Sequence, residues 1–172
     1  MIPDPGESFH SDSLDLPWAE NWVGDPAIQL KALMIDVEGG RYAVRMRFRA
    51  GLQVAPHKHT GEVHAYTFSG KWNYLEYADS PDNVAGSYLF EPPGTTHTLK
   101  IADDAGEWTE VLFILYGAML HLDEAGAVIG VTDAQSVAAE YAQRLADQKL
   151  PLPARFPMGG RMAYRDLTVP KE

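Results

Sequence analysis

From Arg41 to Ala50 the chain reads RYAVRMRFRA, with Tyr42, Val44, Met46 and Phe48 on one face and Arg41, Arg45, Arg47 and Arg49 on the other. That alternation is the period of a half-buried strand. Its arginine face is solvated or paired with acidic neighbours, a substrate carboxylate being the alternative partner. Further aromatic or β-branched runs follow: VHAYTF, KWNYLEY, GSYLFE, HTLKIA, TEVLFILYGAMLHL and GAVIGV, separated by the turn signals SG, SPDN, PPG, DDAG and DEAG. The rhythm predicts an all-β body, an antiparallel barrel or sandwich, over residues 28–131. Between 132 and 149 the period changes, because Val137, Tyr141 and Leu145 recur four apart, and Thr132 with Gln135 has the spacing of a capping box. One C-terminal helix is expected there. Residues 1–27, rich in Pro, Asp, Ser and Gly, read as an irregular arm over the core. The Pro- and Gly-punctuated tail that completes residues 132–172 packs on the barrel or on a second subunit.

A chain of 172 residues with four tryptophans and eight tyrosines is long enough for one domain with a real core. Acidic residues outnumber basic ones by 24 to 14 and no basic cluster occurs, which argues against a nucleic-acid partner. No segment reaches the ~18 apolar residues of a membrane span, and the N-terminus lacks a signal-peptide pattern. A soluble, cytoplasmic protein is expected. With no cysteine, disulfides, thiolate nucleophiles and cysteine-ligated metals are excluded, so a metal ion would be held by nitrogen or oxygen.

The chemistry concentrates in histidine. The stretch PHKHTGEVH carries three of the chain's six histidines. On a strand, residues two apart share a face, so His57 and His59 can present imidazole nitrogens to one point. Two exposed histidines near a turn is the competing reading of that pair alone. A second segment, GSYLFEPPGTTHTLK, ends a strand in a Pro-Pro-Gly turn and delivers His97. The spacings are G-x5-H-x-H from Gly51, closing at Gly70, and G-x5-P-x-G-x2-H from Gly86. In that order they resemble the two signature motifs of the cupin superfamily.

The resemblance implies a double-stranded β-helix, or jelly-roll, barrel whose cavity holds a metal ligated by His57, His59 and His97. It also shows a departure, because the glutamate ligand usual in the first motif falls here on Val63. His64 is the neighbouring candidate, as a ligand if a bulge shifts the strand and otherwise as a cavity-lining imidazole; Glu62 reads as a turn carboxylate. Three neutral imidazoles leave a divalent ion its full charge and open positions that suit an anionic chelate such as an enolate.

Within the cupins, HKHTGEVHAYTFSGKWNYLEY, AGSYLFEPPGTTHTL and TEVLFILYGAMLHLDEAG resemble the 2,4'-dihydroxyacetophenone dioxygenase group, itself similar to acetylacetone dioxygenase. This implies Fe(II), with Zn, Ni or Mn as alternatives, a small ketone and O2 as substrates, and cleavage of a carbon–carbon bond to carboxylic acids. Glu91 then orients a ligating imidazole or water, the alternative being a carboxylate that accepts turn donors. His64 or Glu91 is the candidate base. Tyr66, Trp72, Tyr74 and Tyr77 are core residues or ring contacts. His121 reads as a surface residue near a hairpin end and His10 as part of the arm. The competing class is a zinc-binding sensor or binding module, as in anti-sigma regulators; a redox-neutral metal-dependent isomerase or lyase is the third. A homodimer or higher oligomer is expected, with the strand at 109–122 as a candidate interface.

Overall fold

The computed structural model describes residue 10 and residues 12–153. The strands are β1 (Ile28–Asp36), β2 (Arg41–Arg49), β3 (His57–His59), β4 (Val63–Ser69), β5 (Lys71–Tyr74), β6 (Asn83–Val84), β7 (Tyr88–Glu91), β8 (Thr96–His97), β9 (Leu99–Ile101), β10 (Trp108–Tyr116), β11 (Met119–Leu122) and β12 (Val128–Thr132), followed by helix α1 (Ala134–Asp147). They form sheets ordered β1-β2-β10-β4-β7, β12-β11-β3-β8 and β6-β5-β9, with every paired neighbour antiparallel. The architecture is the all-β barrel with one C-terminal helix that the alternation implied.

Strand β2 shows how the pattern works. Tyr42, Val44 and Phe48 are buried in the core, where Val44 lies opposite Phe113 of β10. On the other face Arg41 pairs with Asp36, Arg45 with Glu110 and Arg49 with Glu107. Arg47 donates to Gln29 Oε1 at 2.7 Å and its guanidinium lies over the Trp18 and Trp108 rings. The arginine face is thus paired with acidic and aromatic neighbours.

Strand β1 has no clean alternation because both its faces are covered. Gln29 and Lys31, nominally outward, are buried under the arm, where Lys31 Nζ donates to the Ser13 carbonyl at 2.8 Å. The arm is stapled to α1 as well: the Tyr141 hydroxyl donates to the Pro17 carbonyl, and Gln148 bonds the Trp18 carbonyl and the Glu20 N–H. Ala19 bridges Leu30, so the arm acts as an extra piece of sheet edge.

Two expectations need correction. The run 109–122 is two strands in two sheets, broken at Gly117, whose φ of 74° is the left-handed conformation that glycine tolerates. Strand β10 is paired on both edges, by β2 and β4, so it offers no open edge. The helix cap is Asp133, one residue later than Thr132: its carboxylate accepts from the Ser136 N–H at 2.8 Å, and the Ser136 hydroxyl accepts from the Asp133 N–H at 2.8 Å. Thr132 is still in β12. The tail beyond residue 153 lies outside the described residues.

Candidate metal centre

Strand parity turns His57 and His59 inward and leaves Lys58 between them half-buried. Strand β8 then pairs antiparallel with β3 so that His97 lies directly opposite His57. The turn that delivers it is fixed by Gly94, at φ 89°, whose N–H donates to the His59 carbonyl at 2.9 Å. All three imidazoles are buried, at 5%, 4% and 1% exposure for His57, His59 and His97, so water does not satisfy them. One nitrogen from each lies within 4.8 Å of the other two, a spacing at which one ion can be held. The chemistry of this donor set suits a borderline divalent metal.

The imidazoles are held in the form a metal needs. Burial pushes His57 and His59 down to about 4, only partly opposed at His57 by its contact with the Ala55 carbonyl and at His59 by Glu91. They are neutral at pH 7, as ligation requires. The His57 Nδ1 donates to the Ala55 carbonyl at 3.0 Å, which leaves Nε2 as its free nitrogen.

Glu91, at the end of β7, lies beside two of them. Its Oε2 lies 3.2 Å from His97 Nε2 and 3.5 Å from His59 Nε2. The Tyr74 hydroxyl donates to its Oε1, and the Tyr74 ring stacks on His97 with centroids 4.0 Å apart. Burial works against the carboxylate charge, but His97, the Tyr74 hydroxyl and His59 together hold the group below the usual carboxylate range. Tyr74 itself is pushed well above its ordinary value by burial and by Glu91.

The buried Glu91 Oε2 and His97 Nε2 have no hydrogen-bond partner. Two orphaned polar atoms turned to the same spot are costly unless something bridges them, and a cation does so. The residues fit a metal ion.

His64 is not brought to the cluster. Strand β4 is regular around it, its register irregularity falling near Ser69, so Val63 points inward and His64 outward. There it hydrogen-bonds the Tyr88 hydroxyl through Nδ1 at 2.7 Å and packs among Tyr88, Phe90 and Tyr116. Tyr66 and Tyr77 are exposed, whereas Trp72 is core and hydrogen-bonds Thr67.

His121 is the residue the sequence reading misplaced. It sits opposite His57 in the β3–β11 ladder, lines the cavity, and bonds Thr132 Oγ1 through Nε2 at 2.8 Å. Gly130, its partner on β12, leaves room for the ring. Parity with the histidine strand was the signal, visible only once β11 was placed. His10 is exposed and far from any assigned role.

The cavity beside the cluster has a volume of about 120 Å³. Its walls are apolar, with Leu30, Val44, Phe48, Leu99 and Phe113 among them, and its polar groups are chiefly His57, His59, Tyr74, Glu91, His121 and Thr132. Neither Lys nor Arg lines it among the described residues.

Residues 7–120 match the family of the ChrR cupin-like domain. The chain belongs to that family. Among solved structures, this cupin is similar to a protein of unknown function with a cupin-like fold from Ralstonia eutropha JMP134, at 29% identity and TM-score 0.83, over 94% of this chain and 97% of that one. An RmlC-like cupin from the same organism follows at 25% identity and TM-score 0.80, over 88% and 96%. An acetylacetone dioxygenase from Acinetobacter johnsonii shares the fold at 16% identity and TM-score 0.66, over 84% and 96%. No curated protein matches the chain. No helix among the described residues is long and apolar enough to cross a membrane.

Proposed function

We propose that this cupin is a non-haem Fe(II)-dependent dioxygenase that cleaves a carbon–carbon bond of a small enolisable ketone, a hydroxyketone or a β-diketone. The observation that carries the reading is the position of the cavity: an apolar, cation-free pocket meets the His57, His59 and Glu91 side chains directly. Such a wall suits an uncharged ligand whose polar atoms converge at one end. It does not suit a carboxylate- or phosphate-bearing one, which needs a basic partner. A space of about 120 Å³ is of the order of an apolar cavity that admits benzene, ~150 Å³. The fold shared with an acetylacetone dioxygenase is in keeping with this reading.

His57, His59 and His97 would hold the ion, which when bound supplies a Lewis acid for the ketone oxygens and a redox partner for O2. The chain's own contribution is position and proton handling. Glu91 Oε2, buried beside His59 and His97, would accept the proton whose loss makes the enolate. The Tyr74 hydroxyl fixes that carboxylate through Oε1. The apolar walls exclude water from the reacting carbon. His64, on the outer face of the sheet, has no part in this.

Dioxygen uptake by iron-loaded protein given 2,4'-dihydroxyacetophenone and a panel of β-diketones tests the reading. Uptake that requires iron and is abolished in His97→Ala supports it, with carboxylic acid products identifying the bond cleaved. No uptake with any ketone, alongside tight zinc binding, would replace it with a zinc-binding module.

A further inference from the structure

The polar groups of the cavity fall on two flanks of the histidine cluster, and the proposed reaction uses only one of them. We infer that the other flank, formed by Tyr42, Thr132 and His121, is a second ligand station that binds a hydroxyl group of the ketone, apart from the oxygens that meet the ion. The inference rests on the ketone reading and narrows it to ketones that carry a third oxygen.

The two flanks follow from strand order. In the sheet β12-β11-β3-β8, His121 and His97 lie on either side of His57, each directly opposite it. Opposed residues of antiparallel pairs share a face, so the three rings enter the barrel as one row. Glu91 and Tyr74 stand at the His97 end of that row. At the other end His121 reaches towards β12 and hydrogen-bonds Thr132 Oγ1 through Nε2 at 2.8 Å. Gly130 permits this, since a Cβ there would already press to 3.4 Å on His121 Cδ2.

Tyr42 reaches the same end of the barrel from the five-stranded sheet. The Gly117 N–H donates to the Gly40 carbonyl at 2.6 Å, which ties the start of β2 to the turn between β10 and β11. Tyr42 follows Gly40 by two residues, and Thr132 pairs with Met119, which follows Gly117 by two. All three station residues line the cavity. Burial, and then the charge of Asp133 next to Thr132, push the Tyr42 phenol up, while burial pushes His121 down. The station is therefore uncharged at pH 7.

The Tyr42 hydroxyl marks it as a binding site. Tyr42 is only 3% exposed, yet among the described residues its hydroxyl makes no hydrogen bond. A buried tyrosine hydroxyl ordinarily has a partner. The other buried tyrosines conform, Tyr74 donating to Glu91 and Tyr141 to the Pro17 carbonyl. Thr132 Oγ1 also has capacity to spare. Bonded to one imidazole nitrogen, it keeps either its proton or its lone pairs for a second partner, according to the His121 tautomer. Two hydroxyls that can each donate or accept match a ligand hydroxyl, which does both. A simple β-diketone spends both its oxygens on the ion and leaves this station unfilled; a ketone with one further hydroxyl fills it.

Calorimetric titration of zinc-loaded protein, which cannot pass electrons to O2, tests the station with two ketones. These are 2,4'-dihydroxyacetophenone and 2-hydroxyacetophenone, which lacks only the ring hydroxyl. Wild type should bind the first tighter by about tenfold or more, because a station built for a hydroxyl is left unpaired by the second. Tyr42→Phe, which removes a hydroxyl that bonds nothing in the chain, should bring the ratio to within about threefold while leaving affinity for 2-hydroxyacetophenone unchanged. Thr132→Val should do the same. A merely structural loss would weaken both ketones together and leave their ratio intact. Equal binding of the two by wild type, or a ratio that survives in either variant, would overturn the inference. If neither ketone binds, it falls together with the ketone reading. If the ratios behave as expected but iron-loaded protein consumes no O2, only the dioxygenase reading falls.

Discussion

His57 and His59 tie the site to pH through burial. Each titrates at about 4 in the fold, against an ordinary 6.5, because the charged imidazole is penalised by burial. The unfolded chain therefore binds protons first as pH falls. Stability from these groups is fully present above pH 6.5 and is lost as pH drops toward 4. Each unit of depression corresponds to ~1.4 kcal/mol, and ~1 kcal/mol moves Tm by roughly 2–4 °C at this chain length. Metal-free protein should lose Tm steadily between pH 6.5 and 4, and His57→Gln should flatten that slope; an unchanged slope would mean that the imidazole is not buried neutral. His64 supplies the contrast within the same short motif. Its ring faces Tyr88 and Phe90 on the outer side of β4. His64→Gln should leave metal stoichiometry unaltered and turnover within about twofold of wild type, measured by metal analysis and O2 uptake. The trio was legible in the H-x-H parity and the downstream Pro-Pro-Gly turn. Glu91, expected beside a ligating imidazole, does lie against His59 and His97, whereas the outward turn of His64 was not legible, because it depends on the regularity of β4.

Elements with one wet face were the readable ones. Strand β2 alternates because its arginines reach solvent and acidic partners, and α1 repeats every four residues because one stripe, Val137, Tyr141 and Leu145, meets the barrel. Strand β1 escaped notice because the arm covers its second face, which erases the period. The long run at 109–122 hid its break because Gly117 is flanked by residues equally suited to either strand. That break has a sharp steric cause. A Cβ at Gly117 would lie 2.5 Å from Thr60 Oγ1, which is itself engaged by the Ala118 N–H at 2.8 Å. Gly117→Ala should cost about 2–4 kcal/mol, strain in the left-handed region adding to the clash, and is read as a lower urea midpoint at unchanged m-value. At the start of α1 the cap is equally specific. Asp133→Ala should cost ~1 kcal/mol, whereas Gln135→Ala, at the capping-box position suggested by Thr132, should be nearly neutral; equal losses would contradict the observed cap.

At the scale of the molecule the three histidines belong to one sheet and their acidic neighbour to another. His57, His59 and His97 come from β3 and β8 in the four-stranded sheet, while Glu91 comes from β7 at the edge of the five-stranded one. An ion held by the histidines would sit beside Glu91 Oε2 and His97 Nε2, both buried without a hydrogen-bond partner. Binding to the folded state alone adds ~2.7 kcal/mol at a metal concentration 100 times Kd. At this size that is a Tm increase on the order of 5–10 °C. Scanning calorimetry of the metal-free chain should show such an increase with Zn(II) or Co(II), reversed by chelator and absent in His97→Ala. His121→Ala, which removes a cavity-lining ring hydrogen-bonded to Thr132 but no member of the donor set, should keep it.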